Sequence, residues 1–221
     1  RLFALGERRL IMAINVPRLL PGMKNKMVLV ELDPSSLNPI QESVLCPPSQ
    51  GPLEKNWSPL LHKGRLSFVV RISPLEILDA ETCEKRTYDD VFDSYKSALD
   101  FFDVRCRTPF LPLPSFSLFS SPSVYLGVCG AQFNMSDDPD KLGVGLNLLS
   151  IGGLAMTDNP YTDRELDHVI RYDKLYYSCF CLVDLSDEKE ARVSHISNFF
   201  QFPNWETRQE KIDFPCGLDF R

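Results

Sequence analysis

The sequence has no run of about 18 apolar residues, which excludes a membrane-spanning helix. It has no excess of basic charge either. Its 24 Lys and Arg stand against 30 Asp and Glu, a formal net charge of −6, so direct nucleic-acid readout through a phosphate-neutralising surface is not expected. Neither G-x-x-x-x-G-K-[ST] nor G-x-G-x-x-G occurs, and the glycines near 143–153 are better read as sheet bends than as a phosphate cradle. Histidine is scarce and scattered, at His62, His168 and His195. The opening stretch "RLFALGERRLIMAINV" carries Glu7, Arg8 and Arg9 among its apolar positions and lacks a small-residue cleavage site, so it does not read as a signal peptide. No internal repeat stands out. Seven cysteines, at 46, 83, 106, 129, 179, 181 and 216, are an odd number without a secreted-framework spacing. They read as small buried hydrophobes in a reducing intracellular compartment.

What is present is a 43% apolar chain, enough for a packed core. Apolar runs at 10–16 and 27–32 read as strands separated by Pro17, Pro21 and Gly22. From 33 to 58 five prolines and weak periodicity predict a flexible segment. "RLSFVVRI" is a buried strand. A helix is expected over 88–103, with Thr87 as its cap, Asp90 completing a Thr-x-x-Asp box, and Val91, Tyr95, Ala98, Leu99 and Phe102 on one face. Further strands are expected at "SVYLGVCGAQFNMS" and "LGVGLNLLSIGGLAMT", with a loop and short helix over 157–172. "LYYSCFCLVDLSDEKEARVSHISNFF" reads as a long strand, an acidic turn and a helix carrying His195. The expected fold is a single α+β domain, antiparallel sheet packed with two or three helices. Residues 1–32 would supply N-terminal strands and 59–221 the core, one folded unit around the 33–58 segment.

Two stretches invite a functional reading. The two-residue period of a strand puts Cys179 and Cys181 on one face. A structural zinc site draws on two such clusters and a nucleophilic cysteine needs a histidine base nearby. The sequence offers neither, so no metal, cofactor or catalytic residue is assigned and the pair reads as core. The second stretch runs from 109 to 122, where Pro109, Pro112, Pro114 and Pro122 interleave with Phe110, Leu111, Leu113, Phe116, Leu118 and Phe119. Prolines keep such a segment out of a central strand, so it reads either as a covering segment lying across the core or as an exposed apolar patch whose side chains, with Arg105 and Arg107 before them, contact a partner or an anionic membrane.

The order "LSFVVRI", "RTYDDVFDSYKSALDFF", "RTPFLPL" and "YYSCFCLVDLSDEKEARVSHISNFF" resembles the matrix proteins of rhabdoviruses over about residues 65–215. That resemblance implies a structural protein that self-associates, binds the nucleocapsid protein and touches the inner membrane leaflet. The alternative is a protein-interaction domain without catalytic activity, a cellular adaptor or a viral accessory or movement protein. A cysteine-dependent enzyme stands third.

Overall fold

The computed structural model describes residues 2–5, 9–16, 26–45, 57–88, 103–113, 123–134 and 174–197. Strand makes up 70% of them and no helix occurs among them, which corrects the α+β expectation: the described residues are all-β. The thirteen strands are β1 (Leu2–Leu5), β2 (Arg9–Val16), β3 (Lys26–Leu32), β4 (Pro39–Leu45), β5 (Ser58–His62), β6 (Arg65–Ile72) and β7 (Leu75–Asp79), then β8 (Lys85–Tyr88), β9 (Asp103–Cys106), β10 (Leu111–Pro112), β11 (Val124–Asn134), β12 (Lys174–Asp184) and β13 (Arg192–Ile196). Where a helix carrying His195 was expected, the chain instead turns back through 185–191 and pairs β13 antiparallel with β12. Val193 and Ile196 are buried there while Arg192 and His195 are exposed, an inside–outside pattern that a strand with a register shift satisfies. The helix expected over 88–103 lies largely outside the described residues. At its margins Thr87 pairs with Glu76 inside β8 rather than capping a helix, and Asp103 opens β9.

The strands form three antiparallel sheets in which spatial order follows chain order. The first is β1-β2-β3-β4 and the second β5-β6-β7-β8. In the third, β9 and β10 lie along the same edge of β11, followed by β12 and β13. All three sheets are thus four strands wide. The sheets stack face to face in the order of the chain. Ala13, Met27 and Leu45 of the first pack against Phe68 and Leu78 of the second, with Trp57 between. On the other face of the second sheet, Leu60, Val69, Ile72 and Leu75 pack against Cys129, Cys181 and Val183 of the third. The neighbours Phe68 and Val69 point to opposite faces of β6 and are both 0% exposed, as in a sheet covered on both sides. Phe68 alone, ringed edge-on by Phe3 and tilted against Trp57, contributes about 1.5–3 kcal/mol through burial.

Burial also falls across the second sheet. β5 is almost wholly buried, whereas β8 is exposed. There the first strand lies inside and the fourth at the rim, while in the first sheet β1 is exposed at Leu2 and Ala4. The leading segments of the second and third sheets also meet: Leu60 bridges Phe110 in parallel, and the Phe110 N–H donates to the Pro59 carbonyl at 2.8 Å. The second and third sheets, four-stranded meanders adjacent in the chain with their first strands side by side, are arranged as neighbouring blades of a β-propeller are.

A repeated turn supports the blade reading. Asp33 Oδ1 accepts from the amides of Ser35 and Ser36 between β3 and β4, and Asp79 Oδ1 accepts from Glu81 and Thr82 between β7 and β8. Both turns end on a left-handed residue, Leu37 (φ 59) and Cys83 (φ 60), whose amide returns to the aspartate carbonyl. The shared pattern Leu-Asp-x-x-Ser/Thr recurs from Leu32 to Leu78, within the spacing of about 40–50 residues expected of blades. β4 itself falls inside the 33–58 stretch expected to be flexible. Pro39 is tolerated because it is the first residue of a strand at the sheet's edge.

Candidate functional site

The informative residues in a core are polar ones. Among the described residues five polar or charged side chains are buried: Ser58, His62, Arg107, Thr108 and Ser178. All but Ser178 lie on β5 or on the segment between β9 and β10, where first strands converge. That segment is built by a bulge. The amides of Arg107 and Thr108 both donate to the Val128 carbonyl, at 2.9 and 3.2 Å, and the Val128 N–H donates to Thr108 Oγ1 at 2.8 Å. The extra residues swing Phe110 off the β11 ladder and onto β5.

Two glycines of β11 make room for this. A Cβ at Gly127 would lie 2.7 Å from the Phe110 ring, and one at Gly130 would overlap the Arg107 guanidinium. Ser58 Oγ is buried without a hydrogen-bond partner. At the far end of β5, His62 Nδ1 lies 2.7 Å from Tyr125 Oη, and Nε2 lies 3.6 Å from Glu188 Oε1, beyond hydrogen-bond length but within charge attraction. Tyr125 donating to Nδ1 leaves the ring proton on Nε2 facing Glu188. Burial, and then Lys63, depress the His62 pKa against the pull of Glu188. Lys63 holds Glu188 below the usual carboxylate range through a 2.9 Å hydrogen bond, aided by His62. Tyr88 Oη donates to the Glu188 carbonyl at 3.1 Å. This polar knot ties the β5–β6 turn of the second sheet to the β12–β13 turn of the third.

No family model, curated protein or solved structure matches the chain. Its chemistry is therefore argued from its own geometry.

Cys179 and Cys181 lie on one face of β12, fully buried, as the strand period predicts. They do not stand alone. Cys106 and Cys129 join them on the same inter-sheet face, and none of the four is disulfide-bonded. Burial, with the Cys106 thiol beside it, pushes Cys179 up to about 12. For Cys129 a hydrogen bond from Cys106 works downward, but the bond to Cys181, burial and the neighbouring thiols outweigh it and push it well up. Such thiols stay protonated at neutral pH, a poor state for nucleophilic attack or metal ligation. Among the described residues no three His, Cys, Asp or Glu side chains are arranged to hold a metal ion. Cys83 is disulfide-bonded.

The residues expected at a membrane or partner surface fall into three groups. Phe110 is 2% exposed and Arg107 8%, so at these two positions the contact reading is corrected and the chain covers the core. Arg105, Leu111 and Leu113 are half-buried, and Phe116, Leu118 and Phe119 lie outside the described residues. Proline content misled the reading of Phe110. The Leu113 N–H donates to the Val124 carbonyl at 2.9 Å, and Leu111 pairs with Leu126 in the same phase. Pro112 thus sits where its missing N–H would point away from β11. The signals that would have found the junction are the glycines of "GVCG" opposite "RTPF" and the repeated Leu-Asp turn.

Proposed function

We propose that the chain is a protein-interaction module, a rigid stack of sheets that meets other protein chains along its rim. β4 carries this reading. It is a seven-residue edge strand, exposed at every position but the last, with Ile40 62% and Val44 54% exposed. It pairs with β3 on one side and with no other strand among the described residues. Edge strands present a row of unpaired N–H and C=O groups and are the usual template for strand addition. Glu42 is the one charge on β4, so a partner strand with a basic residue opposite it is favoured. Two copies can also pair about a two-fold centred on Ser43, which sets Glu42 against Val44 instead of against its own copy.

Sedimentation velocity of the chain over a wide concentration range tests the reading. Reversible association that disappears in a folded Ile40→Lys, Val44→Lys variant supports it. A wild-type chain that stays monomeric, or a variant that associates unchanged, overturns the role of β4.

A viral matrix-like protein, with nucleocapsid and anionic membrane as partners, is a narrower form of the same proposal. It draws on the order of sequence elements, and one of those elements, the helix after the acidic turn, is β13. Co-sedimentation with anionic liposomes separates it from a module that binds protein alone.

A further inference from the structure

The four buried thiols of the third sheet are not equivalent, and the backbone distinguishes them. Cys129 on β11 faces Cys106 of β9 on one side and Cys179 of β12 on the other. The Arg107 N–H donates to the Val128 carbonyl at 2.9 Å, so that position bonds across the ladder and the next pair, Cys106 with Cys129, is a non-hydrogen-bonded one. On the other side the Leu185 N–H donates to the Ser123 carbonyl at 2.8 Å. Alternating along that register makes Cys129 with Cys179 a hydrogen-bonded pair. Residues facing each other without ladder bonds have Cα atoms about 4.5 Å apart and the closer Cβ atoms. A disulfide needs Cα atoms about 4.4–6.8 Å and Cβ atoms about 3.5–4.5 Å apart. The Cys129 thiol is in hydrogen-bonding contact with both Cys106 and Cys181, and of these two only Cys106 is its directly opposed, non-hydrogen-bonded strand partner. Cys179 and Cys181 are next-but-one neighbours on a single strand, too extended to bridge each other.

We propose that Cys106 and Cys129 form an oxidation site, converted by a low-molecular-weight disulfide into a cross-strand bond that pins β9 to β11. In the first step the Cys106 sulfur, deprotonated, attacks oxidised glutathione. A mixed disulfide forms and one glutathione thiolate leaves. The Cys129 sulfur then displaces the second glutathione. Both cysteine protons end on the two released glutathiones, so two thiols are oxidised and one disulfide is reduced. Access comes through β9, a four-residue strand whose opening exposes Cys106 without breaking the β11–β12 pairing. Reaction is slow because the thiols are buried and protonated. The bond fastens the strand that leads into the bulge at Arg107 and Thr108, and thereby the junction of the first strands.

Peptide mapping of the intact chain tests this. The folded protein is incubated with excess oxidised glutathione, denatured, alkylated with N-ethylmaleimide and digested without reductant. The expected product is a peptide linking Cys106 to Cys129, with Cys179 and Cys181 carrying maleimide. Amide exchange over 103–106 should also slow by at least about tenfold in the oxidised protein. Cys106→Ser and Cys129→Ser should each abolish the link, and because the mapping is done on the wild-type chain, poor folding of either variant leaves the test intact. Alkylation of all four thiols after oxidation, or a link from Cys129 to Cys179 or Cys181, overturns the proposal.

Discussion

Phe110→Ala examines the packing of the first strands most sharply when it is combined with Gly127→Ala. The Phe110 ring is buried between the second and third sheets and lies on the bare backbone of Gly127. Removing it should cost about 3–5 kcal/mol, since a large cavity opens where neither sheet can collapse far. Gly127→Ala alone inserts a methyl 2.7 Å from that ring and should cost about 1–3 kcal/mol through overpacking. In the double variant the new methyl occupies part of the space the ring leaves. The two costs should therefore fall short of additivity by about 1–2 kcal/mol. Urea denaturation of the four proteins gives the cycle directly, with the slope checked for constancy. Strict additivity, or a Phe110→Ala cost below about 1 kcal/mol, would mean that the ring does not sit on Gly127 and that 109–113 is a surface segment after all.

Three other perturbations test separate parts of the structure. His62 has a folded pKa below its unfolded value, so it binds fewer protons in the fold; stability should fall as pH drops below about 6.5 and keep falling until the folded pKa is passed. His62→Gln should flatten that slope, and an unchanged slope would show that His62 is not the group responsible. Leu37→Asn, at an exposed position with φ 59, should stabilise the β3–β4 turn by about 0.5–1 kcal/mol; destabilisation would show that Leu37 is held by packing. The Cys179→Ala, Cys181→Ala double variant should cost about 1–3 kcal/mol through lost burial, and zinc in stoichiometric amount that this variant loses would replace the packing account with a metal site.

Strands that carry their own pattern were legible from sequence. "RLSFVVRI" is β6, residues 10–16 and 27–32 fall within β2 and β3, and the shared face of Cys179 and Cys181 follows from the two-residue period. Short strands were not. "SPLLH" and "LEILD" are five residues each, too brief for a period to register. The acidic turn was legible, and Asp184 and Asp187 hold it through their carboxylates, but the strand after it was not, because it is five residues long and a register shift breaks its two-residue period. Phe110 was misplaced for a different reason. Pro109 and Pro112 do break ordinary ladders, but a bulge sets Phe110 against a second strand and aims the proline nitrogens where no donor is needed. The thiol cluster draws on β9, β11 and β12, a contact between distant segments that spacing alone does not reveal.

The central claim is that the second and third sheets meet along their leading segments, β5 against the segment that carries Phe110. Hydrogen exchange at the Phe110 amide tests it most directly, because that N–H has its partner in Pro59, on a strand of a different sheet, at 2.8 Å. Exchange slowed close to the limit set by global unfolding is the expected result. Exchange at the rate of an unstructured peptide, while the amides of β11 and β12 remain protected, would contradict the convergence of the strands and the blade arrangement built on it.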